Sequence, residues 1–332
     1  MANQAPSPEL KANLNHQRKA ALIGGGAIDH AGRVRVRRLD SFDITSTIFG
    51  GLEGVPKLFM EEKLGKEAVW NSDAAAAVDA AYGAFDEERP APVVDPALIS
   101  FMVDECDFSM EYADGTFLEH LVFCQDFAAR YYPEHSPNVA LLHSILGTAT
   151  NTFAMRADQI PALKELLTDF ESQQIEVFPS ILRLFYDGFF LDELEQNIGR
   201  LDQLESLELN RVIDNEPLIV DAENMWINLN YHLMHFVDFM PVANWSAQNS
   251  DPLLQMFARL SSLLDRAGQR QAHVQVSFPT GTRPVIDEER TPLGRVMGLL
   301  PAAVTLKLTK KSIGEYSAAA GHSLSYRLNW NR

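Results

Sequence analysis

Residues 222–240 read AENMWINLNYHLMHFVDFM, and the way this stretch is turned decides the fold. Its apolar residues Trp226, Ile227, Leu229, Leu233, Phe236, Val237 and Met240 cover most of a helical circumference, whereas a surface helix keeps one broad polar face. With Asn228 at zero and about 100° per residue, His232 falls near +40° and His235 near −20°, with Asn224 and Tyr231 within about 60° on the same side. The segment therefore reads as a buried helix carrying one thin polar stripe. An unpaired buried polar group costs on the order of 1–3 kcal/mol, so the stripe must meet a hydrogen-bonding partner, water or a metal.

The helical pattern extends to both sides. ALISFMVDECDFSMEY, TFLEHLVFCQDFAARYY, PNVALLHSILGTATNTF, IPALKELLTDFESQ and FPSILRLFYDGFFLDELEQNIGRL precede the stretch, and DPLLQMFARLSSLLDRAG follows it, so helix dominates from 95 to 268. Ser136 is expected as a cap, with Pro137 at the first helical position. Further upstream, VWNSDAAAAVDAAYGAF offers Asn71 or Ser72 as a cap, and EERPAPVVDP is a proline-stiffened connector. Downstream, HVQVSF, AVTLKL and HSLSYRL alternate apolar with polar residues as half-buried strands do, and VRVRRL near the N-terminus is a candidate partner strand. The expectation is a mainly α fold: a multi-helix, bundle-like domain with a small β element formed by the C-terminal segment and an N-terminal strand. It divides into an N-terminal arm with an edge strand at 1–45, a helical core at 46–268, and a C-terminal extension with short strands at 269–332.

Composition narrows the partners. The 332 residues are 46% hydrophobic and 22% charged, as in an ordinary globular chain, and the net charge of −17 repels a polyanion. Nucleic acid is thus excluded as an expected partner, and Arg33, Arg35, Arg37 and Arg38 read as a solvated edge strand. Gly24-Gly25-Gly26 lacks the preceding buried strand of a dinucleotide loop and reads as a bend. Cys106 and Cys124 sit among apolar residues and suit thiols in a reducing compartment. There is no signal-peptide pattern and no apolar run of about 18 residues. These features predict a cytoplasmic, non-membrane protein acting on a small molecule, with a homo-oligomer left open.

Histidine placement suggests the chemistry. His120 shares a helical stripe with Cys124, Phe127 and Tyr131, and His143 aligns with Val139, Ala140, Leu146 and Gly147. Together with His232 and His235 they place four imidazoles on three inward faces. With a carboxylate from Glu119 or Asp238, or from Asp104 or Glu105, they would form an all-helical site for one or two iron ions, manganese and zinc being the alternatives. Tyr231 and Asn228 would then orient substrate or dioxygen. On the competing reading these histidines are satisfied core residues of a non-catalytic ligand-binding or assembly protein. Ser136 with His135 reads better as a cap than as a nucleophile. Phe178, Phe185, Tyr186, Phe189 and Phe190 read as core or as pocket lining, and the acids from Asp192 to Glu208 as a solvated helix face.

Val103-Asp104-Glu105-Cys106-Asp107, His120, Tyr132-Pro133 and Leu141-Leu142-His143-Ser144-Ile145-Leu146-Gly147 resemble the core of the myo-inositol oxygenase group of the HD-domain superfamily. The resemblance spans residues 103–147 only. It implies a helical non-haem iron fold and oxidation of a small molecule by dioxygen, with His120 and His143 as metal ligands. Ser144 stands where the family carries its signature aspartate, which argues against an HD-like hydrolase, the third reading.

Overall fold

The computed structural model describes residues 94–106, 111–112, 115–147, 155–238, 252–273, 301–319 and 321–331, the strand residues 35–36, 68–69 and 287–288, and single positions at 54, 292, 296 and 299. Of the helical residues 117–120 and 237–238, only the backbone is described. The chain is mainly α with a small three-stranded antiparallel sheet. Its helices are α1 (Pro96–Ser100), α2 (Phe117–Tyr131), α3 (Asn138–Leu142), α4 (Ile160–Lys164), α5 (Asp169–Asp187), α6 (Phe189–Gln196), α7 (Ala222–Asp238), α8 (Pro252–Arg266) and α9 (Ala302–Ala319). Its strands are β1 (Arg35–Val36), β2 (Ala68–Val69), β3 (Glu111–Tyr112), β4 (Gly115–Thr116), β5 (Leu204–Asn210), β6 (Pro217–Asp221), β7 (Asp287–Glu288) and β8 (Arg327–Trp330). Among the described residues no helix is long and apolar enough to cross a membrane.

Helix α7 is the axis. Every side chain from Met225 to Phe236 is buried, the outcome its nearly all-round apolar surface demands. It packs against α2, α3, α5, α8 and the β5–β6 hairpin. Helix α5 lies beside it and also contacts α3, α6 and α9. Its start is set by a capping box: the Thr168 hydroxyl accepts from the Glu171 amide (3.2 Å), while the Glu171 carboxylate accepts from the Thr168 amide (2.8 Å). Its end is set by Gly188, at φ 85°, whose amide donates to Leu184 and whose carbonyl accepts from Asp192. Pro179 sits inside α5 and removes the amide that would donate to Ile175.

Several expectations are corrected. AVTLKL lies within α9, not in a strand, because the helix-compatible context continues to Ala319. The extension at 269–332 therefore contributes a helix as well as β8, whose pairing partner is β5. The residues Glu205 and Glu208, expected on a helix face, lie on β5, which hydrogen-bonds β6 on one side and β8 on the other. β1 pairs with β2, and β2 with β7, so the N-terminal strand shares a sheet with a strand of the 269–332 extension, with 68–69 between them, and β8 belongs to a different sheet. The segment expected as one helix at 97–112 continues from α1 as a π-helix at Phe101–Glu105, and its last two residues, Glu111–Tyr112, form β3. Among the described residues of the segment from 137, up to 147, the helix covers Asn138–Leu142; its cap is Pro137, and Ser136 Oγ accepts from the Asn138 amide at 3.3 Å. Val69, at the start of the expected Ala-rich helix, lies on β2, and the rest of that helix at 70–85, the Gly24–Gly26 bend and most of HVQVSF lie outside the described residues.

Candidate functional site

The polar stripe of α7 faces α5, and its two halves behave differently. In the N-terminal half, amides interlock: Asn228 Nδ2 donates to the backbone and side-chain oxygens of Gln174 (2.9 and 2.8 Å), and Gln174 Nε2 donates to both oxygens of Asn224 (3.2 Å each). Asn228 Oδ1 is buried without a hydrogen-bond partner. One turn on, His232 is 0% exposed, and neither ring nitrogen has a hydrogen-bond partner. A neutral imidazole carries one N–H and one lone pair, so two hydrogen-bonding capacities are spent on nothing.

Aromatic rings enclose His232. Phe178 from α5 stacks on it at 3.8 Å between centroids, and Phe185, two turns further along α5, meets it edge-on at 4.8 Å. Phe178 also touches His143 (4.9 Å) and His235 (5.6 Å), and these two histidines contact each other edge to face at 4.6 Å. Burial drives His232 far below the ordinary imidazole range, with His143 pushing the same way, so the ring is neutral at physiological pH. His143 Nδ1 lies 2.7 Å from the Ala140 carbonyl. A carbonyl only accepts, so Nδ1 holds the proton, and in the neutral ring the lone pair resides on Nε2.

The structure thus brings His143, His232 and His235 together around Phe178. The side chains of His120, Glu119 and Asp238 lie outside the described residues. Asp104 and Glu105 are exposed, with Glu105 accepting from Gln159, so they do not enter this interior. Tyr231 faces another way: its hydroxyl donates to the Ser136 carbonyl (2.6 Å), its ring meets Tyr132 edge-on, and burial raises its phenol above the ordinary range. Among the described residues no three His, Cys, Asp or Glu side chains converge closely enough to hold a metal ion. Cys106 and Cys124 are buried thiols, not joined to each other, and burial followed by the nearby Glu105 pushes Cys106 up to about 12.

The sequence reading missed Gln174, the α5 partner of the stripe. Its signal was its place one helical turn before Phe178, on the face that the aromatic residues share. No protein-family model, characterised protein or solved structure matches the chain, so the side chains themselves carry the functional reading.

Proposed function

We propose that the chain is a cytoplasmic metal-dependent enzyme, a non-haem iron oxygenase or oxidase acting on a small, partly apolar molecule inside a bundle-like helical body. The observation that carries this reading is the cluster of buried imidazoles of His143, His232 and His235, with the His232 ring neutral and both its nitrogens unspent. His143 has the tautomer of a metal ligand, fixed by a backbone carbonyl behind it. His143 and His235 would supply two imidazoles, His120 and His232 are the further candidates, and Glu119 or Asp238 would supply a carboxylate, a donor set suited to iron(II), with manganese or zinc as alternatives. Iron held this way would supply dioxygen activation. The chain's own part is to exclude water, hold the His232 ring neutral and bind substrate along the apolar faces of Phe178 and Phe185. Asn228 Oδ1 is an acceptor available to a substrate hydroxyl. The resemblance of residues 103–147 to the myo-inositol oxygenase group supports the same reading.

The test is elemental analysis of protein purified without oxygen, followed by the same measurement on His143→Ala and His235→Ala. Stoichiometric iron or manganese lost in both variants is expected. Metal-free protein that takes up none on titration overturns the proposal. A second reading, a non-catalytic ligand-binding or assembly protein, draws on the 3.8 Å stacking of His232 on Phe178, which is how a core ring packs. It predicts thermal stabilisation by an apolar ligand with no turnover.

A further inference from the structure

One imidazole far from that cluster fastens the C-terminal segment. His322 is 5% exposed and stands between two elements. Its Nε2 lies 2.9 Å from the Asn210 carbonyl at the end of β5, and its Nδ1 lies 3.3 Å from Nη1 of Arg183 on α5. A carbonyl can only accept and a guanidinium can only donate, so the pattern requires the neutral ring with its proton on Nε2. Arg183 is itself 0% exposed and donates from the same Nη1 to Ser317 Oγ of α9 (3.1 Å). The His322 amide donates to the Ser317 carbonyl (2.8 Å), so α9, α5, β5 and the link to β8 meet at this ring.

We propose that His322 is an acid-sensitive latch: neutral, it clips the 321–330 segment onto α5 and β5, and protonated, it releases that segment. Protonation removes the acceptor that Arg183 uses and sets a second cation against a buried guanidinium. Arg183 is the charge that acts on the ring; Ser180, Ser317, Asn215 and Ser325 around the junction are uncharged. The charges further out are paired, Lys310 with Asp187 and Arg211 with Glu176 and Asp214.

The sign follows from proton counting. Burial, reinforced by Arg183 and opposed by the Asn210 hydrogen bond, brings the docked ring to about 4 from 6.5. The undocked ring binds more protons between these values, so docking is complete above about pH 6.5 and weakens as pH falls toward 4. The other anchors of β8 do not titrate in the upper part of that window. Arg327 pairs with Glu208, whose carboxyl is held below its usual range by Asn329 and Arg327, and Arg200 lies 4.4 Å above the Trp330 ring.

Hydrogen exchange of residues 321–331, normalised to the free peptide at each pH, tests the latch. Between pH 7.5 and 5 the opening equilibrium of the wild type is expected to rise about 10- to 30-fold. His322→Gln keeps a donor and an acceptor but cannot titrate, and is expected to open equally at both pH values. Equal wild-type protection at the two pH values, or the same acid loosening in His322→Gln, overturns the proposal. Direct NMR titration of the wild-type His322 ring gives a readout independent of any variant: a midpoint below 5 is expected, and one near 6.5 overturns it.

Discussion

Glu171 and His232 are both buried polar groups on the facing helices α5 and α7, and their surroundings differ sharply. The Glu171 carboxylate accepts from Ser136 Oγ (2.5 Å), Asn138 Nδ2 (3.0 Å), the Thr168 amide (2.8 Å) and the Thr168 hydroxyl (2.9 Å). Burial alone would raise it, yet these donors outweigh burial and hold it below the usual carboxylate range. His232 has no such company. This interior satisfies Glu171 completely, whereas His232, like Asn228 Oδ1 and Gln125 Oε1, is buried with hydrogen-bonding capacity left over.

The contrast is open to direct attack. Glu171→Leu should be the most damaging change, about 3 kcal/mol or more by urea unfolding, because it strands four donors. A cost under 1 kcal/mol would show that the network is decorative. His232→Phe should do the reverse at neutral pH, leaving stability unchanged or raising it by about 1 kcal/mol, since it removes two unsatisfied groups and keeps the stack. It should also flatten part of the acid dependence. The wild-type ring stays neutral when folded while the unfolded chain takes up a proton below about pH 6.5, so each unit below that costs about 1.4 kcal/mol. Unfolding curves at pH 7.5 and 5.5 for the two proteins would separate these slopes. Thr168→Ala is the mildest probe of the structural half, expected to cost about 1 kcal/mol through the lost cap and to leave the histidine cluster's chemistry untouched.

The axis of the fold was legible because an all-round apolar helix has few places to go. The thin stripe of Asn224, Asn228, His232 and His235 was legible for the same reason. What the stripe touches was not: Gln174 and Phe178 reach it only through the packing of α5 on α7, a long-range event without a local signature. β5 was misread for a definite physical cause. Its inward residues Leu204, Leu207 and Leu209 are spaced three and then two apart, and the first interval mimics a helix. An irregularity in pairing between Leu204 and Ser206 supplies the extra residue that lets Leu204 and Leu207 share a face. AVTLKL failed in the opposite sense, since six alternating residues outvoted the longer helix that contains them.

Gly188 belongs to two helices at once, closing α5 through its amide and opening α6 through its carbonyl. It leaves no slack between them. Asp192 and Glu195 of α6 both reach Arg259 of α8, so the angular phase of α6 is read out by a partner on a different helix. One inserted residue at this junction would rotate α6 by about 100° and carry both carboxylates off their arginine. The spacing between Leu184 and Asp192 therefore acts as a ruler, and its length is specified as strictly as any side chain in the core.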